Sequence, residues 1–257
     1  MKETKKVHEL SDEYACHLRN LVSKAAKADC EYKVFGADSH KYRLNSVTSL
    51  EKVRQFEQEY HITLPEEYVF FLTKVGNGGA GPHYGLYSLE KLRSNNYYKQ
   101  NDNPVFIDEN LTTKLWAEKV SEMERDDCTD EVYDAIEEQI LAGALVIGTR
   151  GCSYDTLMMC KGSETGKIVY DDYDRWSDCP PFLTGMTFLD WFECFFEEII
   201  AGHDVTSYGV KRLDTEEELI KAYAATADEE EKWEILSSLW RFEKLSTQAV
   251  DLLMNIK

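Results

Sequence analysis

Apolar positions recur at helical spacing through the first third of the chain. Leu10, Tyr14, Leu18, Leu21, Val22 and Ala25 keep to one face and predict an N-terminal amphipathic helix, followed by a polar turn around Gly36-Ala37-Asp38-Ser39. Thr48, with Glu51 three residues on, reads as a capping box that opens a second helix through Leu50, Val53, Phe56 and Tyr60. The run LPEEYVFFLTKVGNGG then carries a complete helix signal. Pro65 suits a first helical position, Glu66 and Glu67 put negative charge at the positive end of the helix dipole, and Tyr68, Phe71, Leu72 and Val75 fall on one face. Gly76 is the expected left-handed closing residue, and Asn77-Gly78-Gly79 the turn that follows.

Glycine and proline at Gly81, Pro82 and Gly85 break regular structure, so Leu86, Tyr87 and Leu89 read as a short strand or loop on the core. Between 117 and 139 ten carboxylates face only Lys119 and Arg125, the pattern of a solvated helix-loop-helix. The period then changes. Ala144–Ile147, Tyr154–Met159 and Lys167–Tyr170 read as strands, with a Gly162-to-Gly166 loop joining the last two into a hairpin. Thr187 caps a strongly apolar helix carrying Phe188, Trp191, Phe192, Phe195, Phe196, Ile199 and Ile200, stopped by Gly202, and such a helix must be largely buried. Beyond it only helices are predicted, begun at Asp214, Asp228 and Ser246, the first two with three glutamates in their opening turn.

The expected fold class is therefore α+β, helices on an antiparallel meander, with a C-terminal helical appendage. With 257 residues and 43% hydrophobic composition the chain is long enough to bury a substantial core. We divide it into an N-terminal helical extension (1–44), an α+β domain (45–202) and a helical appendage (203–257).

No apolar run approaches the ~20 residues of a membrane span. The opening MKETKKVHELSDEY lacks the hydrophobic stretch of a signal peptide, so a cytoplasmic protein with no membrane partner is expected. Seven cysteines, an odd number with no C-x-x-C pair, read as reduced thiols, and with six scattered histidines they form no ligand-spaced set, so no metal or other cofactor is expected. The formal net charge of −19 disfavours nucleic acid, whose phosphates would be repelled, and favours a basic partner. Acidic surfaces also serve solubility alone, and charge by itself does not choose.

Four patches, taken in order, carry a resemblance to a known family. They are LPEEYVFFLTKVGNGGAGPHYGLYSLE (64–90), GALVIGTRGCSYDTLMMCKG (143–162), GKIVYDD (166–172) and TFLDWFECFFEEII (187–200). Together they resemble the SUKH superfamily, which comprises fungal Smi/Knr-type cell-wall regulators and many bacterial immunity proteins against polymorphic toxins. The resemblance implies a SUKH-like module that binds a partner without catalysing a reaction. The acidic insertion and the helices after Gly202 lie outside the common core.

The segment Tyr170-Asp171-Asp172-Tyr173-Asp174-Arg175-Trp176 places three carboxylates among aromatic rings just past a strand, where a sheet rim would expose them. Asp171, Asp172, Tyr173, Asp174 and Trp176, with Asp126 and Asp127 of the acidic insertion, are the candidate contacts for a basic protein partner, held by charge pairing and aromatic anchors. A solvated turn explains the same carboxylates, and a metal-dependent hydrolase would use them as ligands, yet no base or phosphate loop accompanies them. The glycines from Gly76 to Gly81 follow a helix and lack the Lys-Ser/Thr of a P-loop, so they terminate a helix and hold no phosphate. His61, His83 and Cys152 lack partnered catalytic groups and read as structural. No catalytic residue is assigned. The expectation is a non-enzymatic immunity protein that neutralises a cognate, basic toxin, possible as a nuclease, by stoichiometric binding. The alternative is a signalling or scaffold protein of the Smi/Knr type with several weak partners.

Overall fold

The computed structural model describes residues 9–95 and 102–254. In chain order the elements are α1 (Asp12–Ala28), α2 (Ala37–His40), α3 (Leu50–Tyr60), α4 (Glu66–Phe70), α5 (Leu89–Asn95), α6 (Thr113–Ser121) and α7 (Asp130–Ile140). The strands β1 (Ala144–Gly151), β2 (Tyr154–Met159), β3 (Lys167–Asp172) and β4 (Phe182–Thr187) follow, then α8 (Phe188–Ala201), α9 (Glu216–Ala225), α10 (Glu229–Leu239) and α11 (Thr247–Met254). The strands form one antiparallel meander in the order β1-β2-β3-β4. The architecture is the expected α+β one.

Strand periodicity determines what covers the sheet. Leu145, Ile147, Met158, Ile168 and Tyr170 point to one face and join the main core with α1, α3, α4 and α8. Ala144, Leu157, Met159 and Val169 point to the other, against Ile107. Beyond them Trp116, Val120, Ile136 and Ile140 of α6 and α7 close round Trp176, with Leu141 packed against both groups. The acidic helix pair thus keeps its carboxylates outside and covers the sheet's second face with its apolar stripe.

The expected buried helix is α8. Thr187 accepts from the Asp190 amide at its start, Gly202 (φ 78°) ends it in the left-handed region, and Phe188, Phe192 and Phe196 are fully buried. Against it lies the Pro65 helix, which differs from a plain helix in its second half. After Phe70 the chain widens into a π-helical turn, Phe71–Val75, closed by the Gly76 amide on the Phe71 carbonyl at 3.0 Å. The extra residue lets the segment wedge between two helices: Phe70 stacks on Tyr14 of α1 with centroids 6.1 Å apart, and Phe71 meets Phe192 of α8 at 4.9 Å.

Several terminal details differ from the sequence expectation. Gly76 is extended (φ −176°), and the left-handed residues are Gly78 (φ 77°) and Gly79 (φ 98°), because the wide turn consumes one more residue before the chain reverses. Gly79 is also hemmed in by backbone: a Cβ there would lie 2.4 Å from the Arg43 carbonyl oxygen, so only glycine fits. Ser49, accepting from the Lys52 amide at 3.3 Å, caps α3 where Thr48 was expected, since the Thr48 amide is already bonded to the Leu72 carbonyl. Thr215, in a capping box with Glu218, caps α9 where Asp214 was expected; Asp214 takes the Arg212 guanidinium at 2.8 Å. The strand β4 was not foreseen, because half-exposed residues and Gly185 (φ 73°) leave it little apolar alternation.

The helices after Gly202 have a core of their own, Leu219, Ile235, Leu236, Leu239 and Ala249. Arg241 joins this unit to α8. Its buried guanidinium pairs with Glu198 and donates to the Asp214 carbonyl, while its own carbonyl accepts from the Asp204 amide at 2.7 Å. Arg241→Ala would leave the partly buried Glu198 with His203 Nδ1, 3.0 Å away, as its remaining partner, and is expected to cost about 2 kcal/mol. Amide hydrogen exchange across residues 216–254 should accelerate well beyond that of β2 and β3, and unchanged protection would refute the role given to Arg241.

Candidate partner-binding face

The candidate face is built on the end of the sheet where β1 turns into β2 and β3 ends. Gly151 (φ 99°) and Cys152 (φ 50°) adopt left-handed conformations, so the chain reverses through the two residues Cys152 and Ser153 before Tyr154 pairs back onto Gly151. The hairpin tip is tied to β3. Ser153 donates from its hydroxyl to Asp172 Oδ1 at 2.7 Å, and its carbonyl accepts from the Tyr173 amide at 3.2 Å. Tyr154 lies opposite Asp172 in register, and Asp155 opposite Asp171.

These two cross-strand pairs point to opposite faces, which separates the predicted contacts. Tyr154 and Asp172 emerge at the rim, Tyr154 39% exposed and Asp172 half-buried. A 3-10 turn then carries Tyr173 (38% exposed) and Asp174 outward. Asp171 and Trp176, expected at the rim, are buried beneath α6 and α7. The Trp176 indole donates to Asp171 Oδ1 at 2.8 Å, and the Trp116 indole donates to the Trp176 carbonyl at 2.6 Å. The reason is the covered second face: alternation from Val169 directs Asp171 into it, and the indole satisfies the carboxylate there.

The loop between α6 and α7 holds Asp126 and Asp127, both exposed. Asp127 is already clamped by Arg125 through two bonds of 2.9 Å, and this hydrogen-bonded cation holds its carboxyl below the usual range. Tyr133 of α7 brings the layer to the rim, its hydroxyl 2.5 Å from that of Tyr173. Of the seven predicted residues, then, Asp172, Tyr173 and Asp174 share the sheet rim, Asp126 and Asp127 flank the helical layer above it, and Asp171 and Trp176 support it from within.

The sequence reading missed Tyr154, although its position two residues after a Gly-Cys pair is a hairpin signal. It also missed Arg150, whose guanidinium lies 4.2 Å from the centre of the Tyr170 ring, and the exposed edge-on pair Phe35 and Tyr84, 5.2 Å apart. Beneath that pair His83 is buried, and burial together with the Arg150 charge pushes its imidazole down to about 3, so it is neutral at physiological pH. Among the described residues no three His, Cys, Asp or Glu side chains are placed to hold a metal ion, and all seven cysteines are free thiols. No described helix is long and apolar enough to cross a membrane.

The face presents exposed carboxylates beside two tyrosines, Tyr154 on β2 and Tyr173 on the 3-10 turn. A family model described as SMI1 / KNR4 family (SUKH-1) matches residues 48–194, a stretch that runs from the start of α3 to the middle of α8. A search of curated proteins found no match.

Burial pushes Asp171 up to about 6, opposed by the Trp176 hydrogen bond and helped by the facing Asp155. The unfolded carboxyl titrates near 4, so the folded state holds this proton more tightly. The stabilising contribution is full below about pH 4 and is lost as pH rises through about 6. Asp171→Asn keeps an acceptor for the indole and carries no charge. Relative to the parent it should gain little at pH 4 and about 1–3 kcal/mol at pH 8 in urea unfolding; an equal difference at both pH values would contradict this.

Proposed function

The chain belongs to the SMI1 / KNR4 family (SUKH-1), and from that membership we propose that it is a non-enzymatic binding protein, an immunity protein that neutralises a cognate toxin by stoichiometric binding. The toxin is basic, of nuclease type, and the encounter takes place in the cytoplasm. Family membership supports binding as the mode of action. The acidic rim supports the choice of a cationic partner.

The observation that carries the reading is the pairing of exposed tyrosines with carboxylates at one end of the sheet: Tyr154 with Asp172 across β2 and β3, and Tyr173 with Asp174 on the 3-10 turn. Tyrosine supplies contact area at low entropic cost, and hydrogen bonds from the Ser153 hydroxyl to Asp172 and from the Tyr173 amide to the Ser153 carbonyl fix the turn before any partner arrives. With a net charge of −19 the whole molecule steers a basic protein inward, and the rim aromatics then slow its escape. Blocking an active site or substrate groove needs no chemistry from the inhibitor.

The test is to purify the protein with the toxin domain encoded beside it and to follow binding by surface plasmon resonance at low and moderate salt. Tyr173→Ala and Tyr154→Ala are each expected to speed dissociation about 30-fold, the scale of a hot-spot truncation of about 2 kcal/mol. Asp174→Lys should slow association about tenfold at low salt and progressively less as salt is added. Several weak, salt-sensitive partners in place of one tight complex would favour a scaffold, and turnover of a substrate would overturn the binding reading.

A further inference from the structure

Three of the five tryptophans are inside: Trp116, Trp176 and Trp191 are at most 4% exposed, whereas Trp233 and Trp240 are 62% and 66% exposed. Both belong to α10 or its C-terminal cap, seven residues apart. Two helical turns bring them about 20° from the same direction and about 10 Å apart along the axis. Leaving two indoles in water forgoes the largest apolar burial a side chain offers, and the core of this unit is closed without them: Ile235, Leu236 and Leu239 of α10 pack with Leu219 of α9 on a stripe centred about 100° round α10 from the indoles.

A line of acid runs beside the aromatic one. Glu230 and Glu234 are exposed, four residues apart, and make no ion pair among the described residues. Their neighbours are paired, Glu229 with Lys232 at 2.8 Å and Glu231 with Arg212 at 3.4 Å, and the Arg212 charge also reaches Glu234. Like charges at this helical spacing repel, so the pair costs the free helix stability. On a helical projection Glu230 and Glu234 fall about 60° and 100° from Trp233, with Ser237 between the acids and the indoles. The result is an aromatic ridge and a carboxylate ridge running side by side along two turns.

The geometry points to α10 as a second docking surface, for a basic amphipathic helix of another protein whose apolar residues, one every two turns, lie on Trp233 and Trp240 while its Lys or Arg side chains meet Glu230 and Glu234. Charge complementarity selects the occupant. An acidic helix, or a second copy of this strongly acidic chain, would bring like charge onto the carboxylate ridge. The site lies outside residues 48–194 and does not depend on what the sheet rim binds.

The probe is a labelled 14-residue peptide of leucine and lysine in helical i, i+3, i+4, i+7 order, with the same peptide carrying glutamate for lysine as control. Fluorescence anisotropy with the full chain should show saturable binding of the lysine peptide alone. The double variant Trp233→Ala/Trp240→Ala is expected to bind at least tenfold more weakly, as is Glu230→Lys/Glu234→Lys. Glu13→Lys/Glu31→Lys, the same charge change at exposed positions elsewhere, should keep the parent's affinity at moderate salt. All four tryptophan and glutamate positions are exposed, so melting temperatures should stay close to the parent's. Binding that survives loss of both indoles, that follows total charge wherever it is changed, or that is equal for the glutamate peptide would overturn the proposal. A concentration-dependent blue shift of the intrinsic tryptophan emission without peptide would identify a second copy as the occupant and would equally overturn it.

Discussion

A four-stranded sheet with apolar side chains on both faces has to be covered twice, and the rest of this molecule follows from that requirement. On one side α8 and the widened Pro65 helix bring a stack of phenylalanines against Leu145, Met158 and Ile168. On the other, a short extended stretch around Ile107 and the acidic pair α6–α7 close over Leu157, Met159 and Val169. The second cover is the less obvious of the two, because the segment 117–139 that supplies most of it carries ten carboxylates against two basic side chains. Its burial is confined to a narrow stripe, and the charges remain in water.

The same constraint decides what the β1–β2 hairpin end of the sheet offers. Residues beyond the helical cover, Tyr154, Asp172, Tyr173 and Asp174, reach the surface; those one step out of phase, Asp155 and Asp171, turn beneath it. Asp171 is retained there because Trp176 satisfies it, and Trp176 in turn anchors Trp116 through its carbonyl. A carboxylate that reads as surface chemistry is thus part of the joint that holds the second cover in place.

Much of this was legible in the residues. The buried helix α8 announced itself through Thr187, its aromatic stripe and Gly202, and the first three strands through short apolar runs bounded by glycine, because these signals are local. What was hidden depends on distant chain. Nothing near Asp171 says that residues 105–141 will lie over it, and nothing near Phe71 says that α1 will demand an extra turn of width. Tyr154 and Tyr170, two tyrosines of similar sequence setting, end on the rim and in the core respectively for the same reason. Local pattern specifies elements; their insides and outsides are settled by what packs on them.

The buried Arg241–Glu198 pair gives the molecule a mechanical property as well as a join. Opening it would take the buried Arg241 guanidinium from its carboxylate, so the contact ties the C-terminal unit to the end of α8. With that contact closed, surfaces carried by the C-terminal unit and by the sheet lie at one separation. A ligand built to that span would meet its second contact at high effective concentration once the first is made, and one built to any other span would gain nothing from it. The latch makes the protein a ruler for whatever touches it twice.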